Sequence, residues 1–431
     1  MDEQSVNWAS GLEHAAQSDV GLRRSNNQDA FAVITAPNAE TWARRGHLFM
    51  LADGMGAHAA GELASKMAVD TVPHTYYKLH DEPPATAIRK AIEDANSRIH
   101  LRGQANLDFR GMGTTASVLV LLPEGAMVAH VGDSRVYRLR GNRMEQLSFD
   151  HSLVWEMMAT GRIREEEVPS YIPKNIITRS LGPSPQVQVD LEGPFPLAAG
   201  DAFLLCSDGL SGQVSDEEIG VILGCLSPKE AVGVLVDLAN LRGGPDNITV
   251  ITVKVAAIPS AGETASTFSV VPAGPRPTIH SAWWVALGVL ILVTLGLWAV
   301  QPWGAVVSGL AALAVAIVVA VRKMSRSLPA RSLEGPRFGR GPHKSLVCLT
   351  NNEFVDKLAK VVDQLREAAA EENWSVDWPR FNSFGSRALA AAEKKNYREA
   401  VCEYAHAISF MMDEIRSQRK KAPGQDIGWA G

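Results

Sequence analysis

The sequence predicts an α/β head, more narrowly α+β, of antiparallel sheets covered by helices, followed by a transmembrane helical hairpin and a small all-α tail. Three observations predict it. Short apolar runs recur through the first 258 residues, and several end in an aspartate beside a glycine. Two charge-free runs, 282–300 and 305–321, can each cross roughly 30 Å of hydrocarbon at about 1.5 Å per residue. The segment after them, 345–424, has helical composition along most of its length.

In the head, strands are expected at 31–34, 48–52, 116–122, 126–131, 135–140, 144–147, 203–206 and 248–255, from short β-branched and apolar runs bounded by turn residues. Gly141-Asn142 supplies a hairpin turn between two of them. Helices are expected at 61–74, 84–102, 216–225 and 228–242, with Ser227 as a cap before Pro228. Strands that come mostly as hairpins, with long helices inserted, do not follow a regular βαβ rhythm, and no phosphate-binding GxxxxGK[ST] or GxGxxG motif is present.

Between head and tail, 259–280 reads as a flexible linker rich in Pro, Gly, Ser and Thr, and 281–322 as the hairpin. The stretch 323–344 is a basic linker. Arg276 precedes the first run, and Arg322, Lys323, Arg326 and Arg331 follow the second, so both flanks are expected on the cytoplasmic side of a multi-pass membrane protein. A buried hairpin in a soluble protein, or a single span, are the alternatives.

The chain has 431 residues, 46% hydrophobic and 21% charged, with a formal net charge of -5. That length suggests two or three domains, and the acidic balance argues against a nucleic-acid binder. Four scattered cysteines form no CxxC pair, which excludes a zinc cage and a disulfide framework. The first residues carry no basic, apolar leader, so no signal peptide is expected.

The chemistry is expected at the strand ends. Asp29, Asp53, Asp133, Asp208 and Asp246 each stand beside an apolar strand, four of them in Gly-containing turns. Taken singly, an aspartate near a glycine is an ordinary turn residue. Paired sheets bring such ends together, and converging carboxylates repel one another unless cations are present. Oxygen donors without a His or Cys cluster favour Mg2+ or Mn2+ over zinc. Two such ions activate water for attack and neutralise a phosphoryl group. Arg24 is the candidate to orient the phosphate, because its planar fork matches phosphate oxygens.

The stretches SDVGLRRSNNQDAF, LADGMGAHAAGELAS, GMGTTASVLV, HVGDSRVYRL with LSFDHSL, LLCSDGLSG and GGPDNITVI, in that order, resemble the metal-dependent Ser/Thr protein phosphatase family (PPM, type 2C), especially its bacterial members. The resemblance runs from about Ser18 to Val255. It implies a four-layer α-β-β-α sandwich with two Mn2+ or Mg2+ ions at one end, and a third, weaker ion in some relatives. By the same resemblance, Asp53 bridges the two ions and the Gly54 carbonyl adds an oxygen. Asp208 and Asp246 complete the first ion's ligands, Asp29 serves the second, Asp133 with Asp208 the third, and Arg24 grips the substrate phosphate. Arg24, Asp53, Asp208 and Asp246 are thus the catalytic set.

Two positions depart from the family pattern. Gln28 stands where many relatives have Glu, leaving the second ion more dependent on Asp29. Met55 stands where animal enzymes have a histidine that acts as general acid, and His58 matches a structural stretch. The segment 151–180 resembles a variable flap beside the catalytic groove.

Phosphorylated Ser/Thr proteins, including a Ser/Thr kinase, are the partners the resemblance implies, with catalysis at the cytoplasmic membrane face. The tail, with helices at 353–372, 384–392 and 397–416, weakly resembles one tetratricopeptide unit and is a candidate for binding a partner protein. The competing readings are a non-catalytic membrane scaffold or sensor of the same fold, and a different metallohydrolase.

Overall fold

Two antiparallel sheets pack against each other in the computed structural model, which describes residues 11–57, 59–161, 176–257 and 338–421. The first sheet contains β1 (Leu12–Asp19), β7 (Arg135–Arg140), β8 (Arg143–Gln146), β10 (Ala202–Cys206), β11 (Ile248–Val255) and β12 (Lys344–Val347). Its order is β1-β11-β10-β7-β8-β12. The second sheet contains β2 (Asp29–Ile34), β3 (His47–Met55), β4 (Gly113–Thr114), β5 (Ala116–Leu122), β6 (Gly125–Val131) and β9 (Asp190–Phe195), ordered β2-β3-β5-β6-β9, with β4 paired to β3.

The strands are apolar on both faces because both faces are covered. Along β10, Phe203 and Leu205 enter the core between the sheets, whereas Leu204 and Cys206 face the helices. Along β3 the same alternation sends Phe49 and Leu51 between the sheets, and Leu48, Met50 and Ala52 toward α2 (Ala60–Lys78) and α3 (Pro84–Ala105). Three apolar layers therefore separate four layers of secondary structure. The sandwich expected in the head is present.

Three short helices were not expected from the sequence: α1 (Ala39–Arg45), α4 (Leu153–Ala159) and α5 (Asp208–Ser211). On the outer face of the first sheet lie α6 (Asp216–Cys225) and α7 (Pro228–Leu241). Each opens with a reciprocal serine–glutamate cap, Ser215 with Glu218 and Ser227 with Glu230, which satisfies backbone N–H groups that a helix start leaves bare. Ser227 is the cap expected before Pro228.

Residues 12–19, not expected as a strand, form β1. An edge strand needs only one apolar face, so its signal is weak. The tail also differs from a small all-α appendage. It begins with β12, which extends the first sheet at β8, and continues into α8 (Asn352–Glu371), α9 (Trp378–Glu393) and α10 (Tyr397–Lys421). Trp378 and Pro379 open α9 after the Asp377 cap. The described residues 338–421 belong to the same compact unit as the head. The apolar side of α10, with Ala400, Tyr404, Ile408 and Met411, shares one core with α6 and α7.

The membrane reading is corrected. The runs 282–300 and 305–321 lie outside the described residues, and among the described residues no helix is long and apolar enough to cross a membrane. Placement at a membrane face, a membrane-embedded partner and a multi-pass localisation are withdrawn. Hydropathy reports that a segment avoids water and does not by itself name lipid as its surroundings.

Candidate metal and phosphate site

Strand pairing brings the aspartates together. Antiparallel register sets Asp29 at the start of β2 directly opposite Asp53 near the end of β3. Asp208 opens α5 immediately after β10, and Asp246 precedes β11, the neighbour of β10. Asp133 follows β6. Asp53 feels Asp29, Asp208, Asp133 and Asp246 electrostatically, so all five carboxylates converge on one region.

Each is held by ordinary polar chemistry. The Asp53 backbone N–H donates to Thr115 Oγ1 at 2.8 Å, and Thr115 Oγ1 lies 2.9 Å from Ser134 Oγ. Ser207 Oγ donates to Asp29 Oδ2 at 2.8 Å. Asn247 ties three segments: its amide donates to the Val20 and Asn26 carbonyls, both at 2.9 Å, and its Oδ1 accepts from the Gln28 N–H at 2.8 Å. Gly54 must lack a side chain, because a Cβ there would stand 2.2 Å from the Gly61 carbonyl oxygen and 2.5 Å from that of Gln28. The start of α2 can thus press against β3 behind Asp53.

The electrostatics are those of a site built for positive charge. Burial, reinforced by the neighbouring acids, drives the Asp53 carboxyl well above the usual carboxylate range. Burial raises Asp29 to about 7 despite hydrogen bonds from Thr249 and Ser207, and raises Asp133 to about 7, with Asp208 adding to the effect. Asp208 is raised by burial and then by Asp246. One buried oxygen of Asp29 and one of Asp133 have no hydrogen-bond partner. Orphaned anionic oxygens in a desolvated cluster are what a divalent cation satisfies, so the residues fit hard-metal coordination.

Among the described residues, no three or more His, Cys, Asp or Glu side chains close into a ready metal cage. The binuclear centre expected there is thus not preformed by these side chains alone. The protein's own groups take some oxygens: Arg24 donates to Asp246 Oδ2 at 2.7 Å, and Ser207 holds Asp29. Arg24 is half-exposed at the mouth of the cluster and also feels Asp208 and Asp53.

The sequence reading found the aspartates and Arg24 but missed Thr115, Ser134 and Ser207, which fix where the carboxylates stand. The hydroxyls beside GMG, GD and DG were the available signal. His58 lies outside the described residues, as do residues 162–175 of the flap. Cys206 is fully buried, and burial pushes its thiol far above the ordinary range, so it supplies no thiolate nucleophile.

A double antiparallel sandwich whose strand ends gather desolvated aspartates beside an exposed arginine defines a metal-dependent phosphate-ester hydrolase. The family described as Protein phosphatase 2C matches residues 22–228. A Streptococcus pyogenes protein, "Putative protein phosphatase 2C-type", is 41% identical over 247 residues, covering 56% of this chain and 97% of that protein. The Listeria welshimeri serine/threonine phosphatase stp is 38% identical, covering 55% and 94%. The solved Mycobacterium tuberculosis serine/threonine phosphatase PstP/Ppp is 36% identical with a TM-score of 0.50, covering 57% and 99%. The chain belongs to the bacterial PPM, or type 2C, family and is a metal-dependent serine/threonine protein phosphatase, with Mn2+ or Mg2+ as the family's cofactor.

Proposed function

We propose that the protein hydrolyses phosphoserine and phosphothreonine in proteins at the Asp53 cluster, and that two divalent cations are held there. Asp53, the Gly54 carbonyl, Asp208, Asp246 and Asp29 would hold the two ions, and Asp133 with Asp208 would hold a third, weaker one. When bound, the ions supply Lewis-acid charge for the phosphoryl oxygens and an activated water as nucleophile.

The chain's own residues do the rest. Arg24 presents its guanidinium fork to the phosphate, exchanging its bond to Asp246 for bonds to phosphoryl oxygens. Ser207 fixes the free rotation of Asp29, and Thr115 anchors the backbone of Asp53, so both carboxylates meet their ligand without reorganising. Met55 offers no proton to the leaving alkoxide, so that proton comes from solvent or from a group other than this position.

The observation that carries the reading is the pair of unpartnered, buried carboxylate oxygens within a cluster of acids that burial and mutual repulsion both disfavour. Full-length protein with Asp208→Asn should lose nearly all manganese-dependent hydrolysis of a phosphothreonine peptide while its circular dichroism stays native. Undiminished activity in that variant rejects the assignment.

A further inference from the structure

The segment 338–347, beyond the residues matched by the family, crosses from one sheet to the other. Phe338 and Gly193 of β9 exchange backbone hydrogen bonds at 2.6 and 3.1 Å. The Gly341 N–H donates to Glu192 Oε2 at 2.7 Å, and the His343 ring lies 3.0 Å from Glu192 Oε1. The chain then enters β12 and pairs with β8. His343 also packs edge-on against Phe149, which packs against Trp155 of α4.

This strap walls a cavity of about 780 Å³ that Asp133 and Asp208 share with Trp155, Met158, Lys344 and Leu346. That volume lies within the roughly 300–1,000 Å³ typical of ligand sites. Beyond Asp133 and Asp208 of the acid cluster, and Glu217, the charges in its walls are paired. Arg135 pairs with Asp150 at 2.8 Å and Asp216 at 3.5 Å, and Lys344 pairs with Asp216 at 3.1 Å. What remains toward the space is largely the apolar surface of Trp155, Met158 and Leu346.

We propose that this cavity receives the residues flanking the phosphorylated Ser or Thr of an extended protein segment, and that Leu346, from the strap, selects an apolar flanking side chain. The inference rests on the phosphatase reading of the Asp53 cluster. Continuity with that cluster carries it: a phosphate held at Asp208 brings neighbouring peptide residues, each advancing about 3.3 Å, directly into the cavity. An acidic flank would lose its hydration beside the acids of the cavity wall, whereas an apolar one gains by burial against Trp155, Met158 and Leu346.

The test uses the full chain with manganese, two phosphothreonine peptides carrying Leu or Glu beside the phosphorylated residue, and p-nitrophenyl phosphate as a small reference. Wild type should prefer the Leu peptide by about tenfold in kcat/KM, mostly through KM. Leu346→Lys should erase that preference, and Leu346→Met should retain it. An equal preference in wild type and Leu346→Lys overturns the proposal, as does a wild type that hydrolyses both peptides equally. Should Leu346→Lys hydrolyse neither the peptides nor the aryl phosphate, Leu346→Ala decides: a preference reduced about threefold supports the proposal and an unchanged one rejects it. A wild type inactive on all three substrates sinks the phosphatase reading itself, a result separate from loss of selectivity alone.

Discussion

Buried acids occur in two regions of this molecule, and their surroundings differ. Where the tail meets α7, Asp237 accepts from Ser409 Oγ at 2.9 Å and pairs with Arg416. At the strand ends, Asp29 and Asp133 each keep a buried oxygen without a partner, and their neighbours are further acids. Burial raises carboxyl pKa in both places, to about 6 for Asp237 and about 7 for Asp29 and Asp133. The protein brings its own cation to the first and leaves the second to be completed from outside. A buried acid with a built-in counter-charge holds structure together, and one without it is free to bind metal.

Asp53→Asn probes the contrast most severely. Removing one central charge should cut manganese-dependent turnover by about three orders of magnitude, while raising the melting temperature of the chelated protein by relieving repulsion. A chelated protein that melts lower than wild type would place Asp53 with the structural acids. Arg416→Ala should do the opposite. It strands Asp237 without its cation and should cost about 3 kcal/mol of stability in urea titration, with aryl phosphate turnover per folded molecule retained.

Metal and pH sharpen the comparison further. Saturating Mn2+ at about 100-fold its dissociation constant should add about 2.7 kcal/mol, seen as a rise of roughly 3–4 °C in melting temperature. In chelator, Asp29 and Asp133 hold protons in the folded state up to about pH 7 but only to about 4 when unfolded. The folded state therefore binds more protons between those values, and these groups make the chelated protein less stable as pH rises from 4 to 7. The gap between the manganese and chelator melting curves should widen across that window, and a gap independent of pH would contradict the coupling. Arg24→Ala has the smallest expected effect, about a tenfold loss in kcat/KM on phosphopeptides, since an exposed arginine contributes one screened phosphate contact.

The sequence was most legible where the signal is local. The central strands 116–122, 135–140 and 248–255 and the caps of α6 and α7 follow from apolar runs and serine–glutamate spacing. Among the edge strands, β2 was legible at 31–34, whereas β1, with one covered face, and β12, four residues of mixed character, were not. The charge-free runs at 282–300 and 305–321 suggested a membrane because hydropathy measures avoidance of water without naming the apolar phase.

By itself, the amino-acid order determined which aspartates stand at strand ends, which glycines permit tight approach, and that the head would form covered antiparallel sheets. Only the tertiary structure decided that Asp29 faces Asp53, that Ser207 and Thr115 fix those carboxylates, and that the tail completes the core over α6 and α7. The reason is physical. Turns, caps and periodicity depend on residues a few positions apart, whereas pairing between distant strands depends on how the whole chain buries its apolar faces at once.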